Sequence, residues 1–116
     1  MNIQIFGVHK CAETRKAQRF FKERGIRFQF IDLNEKGLSK GELRAVAARV
    51  PLAQLLDRDS KRFVAKGLAH AWLDTAAIES LLLADPLLLR TPIVRSGREA
   101  TLGYRPEVWE GWQKQS

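Results

Sequence analysis

The 116-residue sequence predicts an α/β domain in the order β-α-β, helices, β-β, α. Three observations carry that reading. Apolar Ile3 to Phe6 is followed by Ala17, Phe20 and Phe21 at helical spacing, and then by Phe28 and Phe30 alternating with Arg27 and Gln29 up to Asp32. The middle third carries helix start and stop signals but no strand pattern. Near the C-terminus, Ile93-Val-Arg and Ala100 to Tyr104 flank Ser96-Gly97, a hairpin turn signal.

Each element has a local reason. Residues 2–6 alternate weakly, as a strand does, and Gly25 stops the helix after Phe21. A connection of this length joins parallel strands and is almost always right-handed. Ser39-Lys-Gly-Glu42 is a capping-box pattern ahead of Leu43, Val46 and Ala47, and Pro51 ends that helix. Pro51 to Leu56 and Lys61 to Ala65 read as short helical pieces around a polar turn, Asp57 to Ser60. Asp74 or Thr75 caps a further helix with Ile78, Leu81 and Leu82 on one face, ending near Asp85-Pro86. Pro106 suits the first turn of a last helix carrying Val108, Trp109 and Trp112. One domain over residues 1–116 is expected, with a helical insertion at about 38–88.

Composition excludes several classes. The hydrophobic content of 45% and charged content of 28% are those of an ordinary globular protein. Leu81-Leu-Leu-Ala is cut by Asp85-Pro86, and Leu87-Leu-Leu ends at Arg90, so neither run spans a bilayer. A single cysteine allows no internal disulfide and fits a reducing compartment, so a cytoplasmic monomer is expected. The net charge of +7 is spread along the chain. It fits a basic solvated surface, an oxyanion site or an acidic protein partner. Direct nucleic-acid binding is not expected, because no reader motif is present. No metal is expected either: His9 and His70 lie far apart and lack ligand spacing.

Cys11 is the main candidate for chemistry. A lone cysteine is more often an inert buried residue than a nucleophile. Here it stands between a strand and a helix start, where free amide N–H groups and the helix dipole favour a thiolate. Thr14 occupies the place of the second cysteine in a C-x-x-C motif, so an oxidised Cys11 must borrow a thiol from outside. Lys10 and Arg15 are expected to favour the thiolate and Glu13 to oppose it, with a pKa about one to two units below the free value of about 8.5. Arg15 lies one turn along the helix from Cys11, and Arg58, Arg90 and Arg105 stand at element ends; guanidinium forks suit a tetrahedral oxyanion, although for any single arginine a solvated surface residue is the better reading. From spacing alone Pro92 reads as an ordinary trans proline at a strand entrance, since roughly one X-Pro bond in twenty is cis. Trp72, Trp109 and Trp112 fit core or partner contacts better than a stacking platform.

Strand-Cys11-x-x-x-Arg15-Lys-Ala, Gly25-Ile-x-Phe28, Arg90-Thr-Pro92-Ile-Val and Gly103-Tyr-Arg-Pro-Glu107 together resemble the arsenate reductase (ArsC), Spx and YffB group of thioredoxin-like proteins. The resemblance covers nearly the whole chain. It implies a thioredoxin-like fold, a four-stranded mixed sheet with an inserted helical region, and a cis Thr91–Pro92 bond facing Cys11. For activity it implies reduction through one nucleophilic cysteine, with no bound cofactor, glutathione as co-substrate and glutaredoxin as a possible partner. Cys11 and Arg105 fit the arsenate reductase pattern directly. Arg90 lies one residue before that family's arginine, whose place Thr91 takes; Arg58 fits only with a one-residue shift; and Gly7 stands where those enzymes carry a histidine. The Spx branch implies a different role, a non-enzymatic regulator that binds the C-terminal domain of the RNA polymerase α subunit. The lead-in Phe6-Gly-Val-His-Lys-Cys11 resembles the YffB branch most. Arg105 and at least one of Arg58 and Arg90 are expected to point into a pocket beside Cys11, together with Thr91 and Pro92.

Overall fold

The computed structural model describes residues 1–115. Strand β1 (Ile3–Gly7), helix α1 (Ala12–Glu23) and strand β2 (Phe28–Asp32) form the expected β-α-β unit, with β1 and β2 parallel from Ile3↔Phe28 to Gly7↔Asp32. Helix α1 ends where Gly25 takes a φ of +67°, a conformation open to a residue without Cβ. Helix α2 (Lys40–Ala47) starts on a complete capping box: the Glu42 N–H donates to Ser39 Oγ at 3.1 Å, and the Ser39 N–H donates to Glu42 Oε1 at 2.8 Å. Helices α3 (Leu52–Leu55), α4 (Lys61–Ala65) and α5 (Thr75–Ala84) follow, with the side chains of Ser60 and Asp74 capping the last two.

A short 3-10 turn, Pro86–Leu88, leads on towards strand β3 (Ile93–Ser96). Sequence pattern did not separate this turn from the end of α5. Strand β4 (Glu99–Leu102) is shorter than the expected return strand. Gly103 at φ +85° ends it, and its N–H donates to the Pro92 carbonyl at 2.8 Å. Helix α6 (Pro106–Gln115) begins on its proline. The sheet order is β2-β1-β3-β4, with β3 antiparallel to both neighbours. This is a thioredoxin-like fold, a four-stranded mixed sheet with a helical insertion.

Alternation along the strands divides the core in two. Ile3, Ile5 and Val94 face α1 and α6, where they meet Phe20, Phe21 and Trp109. Phe6 and Ile93 face the insertion, where they meet Leu43, Val46, Leu55 and Phe63. Trp109 is fully buried, and its Nε1–H donates to Thr101 Oγ1 at 2.9 Å; Trp72 is 86% exposed. The insertion is stitched to the approach to β3. Leu56 and Leu89 form an isolated bridge, the Arg90 N–H donates to the Leu55 carbonyl at 2.8 Å, and the Asp57 N–H donates to the Leu88 carbonyl at 2.9 Å. That stitch brings the Asp57–Ser60 turn to the end of the sheet where Cys11 lies. Among the described residues, no helix is long and apolar enough to cross a membrane.

Candidate active site around Cys11

Strand β1 ends at Gly7, and a tight turn carries the chain to α1, with the Cys11 N–H donating to the Val8 carbonyl at 3.1 Å. Cys11 is the N-cap residue of α1, in an extended conformation (φ −79°, ψ 119°). Its side chain makes no cap bond; the thiol instead lies 3.7 Å from the Thr91 carbonyl oxygen, to which it donates. The Thr91–Pro92 peptide bond is cis, and Pro92 itself is buried. Cys11 and Thr91, 80 residues apart in sequence, thus meet at the mouth of one cavity of about 640 Å³.

Two influences act on the sulfur in opposite directions. Partial burial pushes the thiol pKa up. The hydroxyls of Thr14 and Thr91 and the backbone N–H groups of Thr14 and Glu13 are donors that favour the thiolate over the neutral thiol and together outweigh burial, so the pKa lies below the ordinary cysteine value. The direction is the expected one, but its sources differ. The helix amides contribute as foreseen. The Arg15 guanidinium is engaged elsewhere, its Nη1 donating to the His9 carbonyl at 2.6 Å on the exposed side. Glu13 acts through its amide; its carboxylate lies beside the Gly103 turn.

The cavity wall is cationic with one carboxylate. Lys10, Lys61, Arg62 and Asp57 line it together with Ser60 and Asn34. Lys10 and Lys61 make no ion pair among the described residues, whereas Arg62 Nε donates to both carboxylate oxygens of Asp85, at 2.8 and 2.7 Å. Burial pushes the Asp85 carboxyl pKa up, but Arg62 and Lys66 more than reverse this and hold it below the usual carboxylate range.

The arginines expected at this site are distributed differently. Arg90 pairs with Asp57 and Asp59, each at 3.7 Å. The Arg58 guanidinium lies 5.7 Å from the centre of the Phe63 ring. Arg105 is exposed and donates to the Leu102 carbonyl at 3.2 Å, in a separate hollow beside Arg49 and Val108. The structure therefore brings Cys11 and Thr91 together, with Pro92 next to them, and does not bring Arg15, Arg58, Arg90 or Arg105 into the cavity wall. Thr14 and Lys61 had no role assigned from sequence. Thr14 carried a signal, since positions 14, 17 and 21 recur on the buried stripe of α1. Among the described residues, no group of three His, Cys, Asp or Glu side chains is placed to hold a metal ion.

Residues 6–112 match the model of the ArsC family. The chain belongs to the ArsC family. It is similar to the global transcriptional regulator Spx 2 of Oceanobacillus iheyensis, at 26% identity over 109 residues, covering 92% of this chain and 80% of that protein. Among solved structures it is similar to the YFFB protein, at 24% identity, a TM-score of 0.81 and coverage of 94% of this chain and 96% of that chain. It is likewise similar to the arsenate reductase from Vibrio cholerae, at 22% identity and a TM-score of 0.81, covering 93% and 94%. The two structural likenesses establish the shared fold. This ArsC-family chain is thus related to arsenate reductases, YffB and Spx, with Cys11 and the cis Pro92 at one end of its sheet.

Proposed function

We propose that this protein is a thiol-dependent reductase in which Cys11 is the single nucleophile and glutathione the co-substrate, acting in a reducing, cytoplasmic setting. The observation that carries the reading is the Cys11 sulfur at the cavity mouth, against Thr91 and the first amides of α1, with a lowered pKa. In the first step the Cys11 thiolate attacks a sulfur of a mixed glutathione disulfide. A Cys11–glutathione S–S bond forms, the substrate S–S bond breaks, and its electron pair leaves on the substrate thiolate. In the second step an external glutathione thiolate, or a glutaredoxin thiol, attacks the glutathione sulfur. Cys11 is released as a thiolate and the external thiol becomes the oxidised product. The second step needs an outside thiol because Thr14 stands where a resolving cysteine would be.

Disulfide exchange fits the cavity better than oxyanion reduction. An arsenate-like tetrahedral anion calls for free guanidinium groups around the sulfur. Arg90 is held by Asp57 and Asp59, Arg62 by Asp85, and Arg105 lies in another hollow. Lys10 and Lys61 suit the looser task of drawing in a carboxylate-bearing thiol such as glutathione. A regulatory reading is favoured by one observation, the likeness to Spx 2, and would have the chain bind the RNA polymerase α subunit without turnover. A turnover assay offering a mixed glutathione disulfide and arsenate in parallel, with glutaredoxin present, tests the proposal. Disulfide turnover that depends on Cys11 and exceeds arsenate turnover is expected. No turnover of either, with polymerase α binding that survives Cys11→Ser, would replace it with the regulatory reading.

A further inference from the structure

Among the described residues, Thr14 is the only buried polar side chain, with no exposed surface at all, and its Oγ1 has no hydrogen-bond partner. A buried hydroxyl left unpaired is costly and calls for an explanation. Position 14 is three residues past Cys11, on the helix turn over which a residue at the N-cap can be reached. The surroundings are shaped to keep Thr14 there. A Cβ at Gly7 would lie 2.6 Å from both Thr14 Oγ1 and Thr14 Cγ2, well inside contact distance. The end of β1 is therefore bare where Thr14 fills the space against Gly7.

We propose that the Thr14 hydroxyl is a donor reserved for the ionised Cys11 sulfur, and that Gly7 is kept free of a side chain to hold Thr14 in that position. The inference rests on the reading of Cys11 as a nucleophile. As a neutral thiol, Cys11 gives its proton towards the Thr91 carbonyl and offers Thr14 only a weak acceptor. As a thiolate it offers a full negative charge, and the rotatable O–H of Thr14 turns onto it. The unpaired state of Oγ1 thus belongs to the thiol form and is relieved by ionisation. Thr14 positions and stabilises the nucleophile in the place where a C-x-x-C protein carries its resolving cysteine. The trade is an external resolving thiol in exchange for a hydroxyl donor that oxidation cannot consume.

Other charged groups face the sulfur or its rim from each neighbouring element. They are Lys10 in the loop, Asp57 in the insertion turn, and Lys61 and Arg62 on α4. The Glu13 carboxylate lies beside Gly103, and the Arg15 guanidinium lies on the His9 carbonyl. Changing the buried Thr14 removes none of these charges, so a Thr14 variant isolates the hydroxyl.

The test is the rate of iodoacetamide alkylation against pH for wild type, Thr14→Val, Thr14→Ser and Gly7→Ala, with thermal unfolding of each. Valine keeps the shape and removes the donor. It is expected to raise the midpoint by about one pH unit, a roughly tenfold loss of thiolate on the acid side, without lowering the unfolding temperature. Serine restores the donor and returns the midpoint towards wild type, an outcome that a purely structural role for Thr14 would not give. Gly7→Ala crowds Thr14, lowers the unfolding temperature and raises the midpoint, and adds no further rise in a Thr14→Val background. A low wild-type midpoint that Thr14→Val leaves unchanged overturns this inference alone, as does a raised midpoint that serine fails to restore. A wild-type midpoint at the ordinary cysteine value overturns this inference and the reductase reading together.

Discussion

The two hollows that carry candidate binding residues lie near the same end of the sheet and are built differently. Around Cys11, the groups that act on the sulfur are backbone amides and short hydroxyl side chains, fixed by the start of α1 and by the cis bond before β3. Around Arg105, the charged groups of the hollow are the long, exposed side chains of Arg49 and Arg105, with Arg49 tied to Glu99 at 3.3 Å and Arg105 resting on the Leu102 carbonyl. The first kind of site is preorganised, because its donors cannot swing away without unfolding the elements that hold them. The second is an arrangement of surface charges that the chain's own carboxylates and carbonyls largely satisfy. Chemistry at a sulfur belongs in the first hollow, and the following experiments separate the two hollows by the size of their effects.

The largest expected effect is from Cys11→Ser, which should abolish disulfide turnover to the limit of detection while leaving the fold intact, since Cys11 only packs against the edge of the core. Residual turnover above a few per cent would move the chemistry elsewhere. Next is pH. Below the lowered Cys11 pKa, turnover should fall about tenfold per pH unit, because only the thiolate attacks. Stability should follow the same group. The folded thiol ionises more readily than the unfolded one, so unfolding takes up a proton between the two pKa values. Stability therefore rises with pH from the folded pKa up to about 8.5. That contribution is lost as pH falls through the folded value, and Cys11→Ser should flatten the slope.

Smaller effects come from the cavity rim. Lys10→Ala and Lys61→Ala should each raise KM for a glutathione disulfide about two- to fivefold at low salt, and less at high salt. Arg105→Ala should change disulfide turnover by less than about twofold, the scale of an uninvolved surface charge. A large loss with Arg105→Ala would mean that the hollow at β4 and α6 takes part in the chemistry, which would break the contrast between the two hollows.

What was legible in the sequence follows the same division. The run from β1 through Cys11 to Gly25 was readable because every cue in it is local: an apolar strand, a helix stripe, a stop glycine. Ser39 with Glu42, Ser60, Asp74 and Pro106 marked helix starts for the same reason. The cis bond at Pro92 was not readable from spacing, which favours trans; only the resemblance to a family supplied it. Side-chain direction was not readable at all. Arg58, Arg90 and Arg105 stand at element ends, but where each guanidinium goes is decided by Phe63, by Asp57 and Asp59, and by the Leu102 carbonyl. The Leu56–Leu89 bridge joins segments 33 residues apart and left no periodic trace, yet it sets Asp57 into the cavity wall. Thr14 was noted only for the cysteine it replaces, although its place on the buried stripe of α1 was available from spacing.

The most direct test of the central claim is mass spectrometry of the protein after exposure to glutathione disulfide at neutral pH. One glutathione per chain is predicted, attached to Cys11, absent in Cys11→Ser and released only when an external thiol is added. A protein that stays unmodified while its fold is intact, or an adduct that clears without an added thiol, would contradict it.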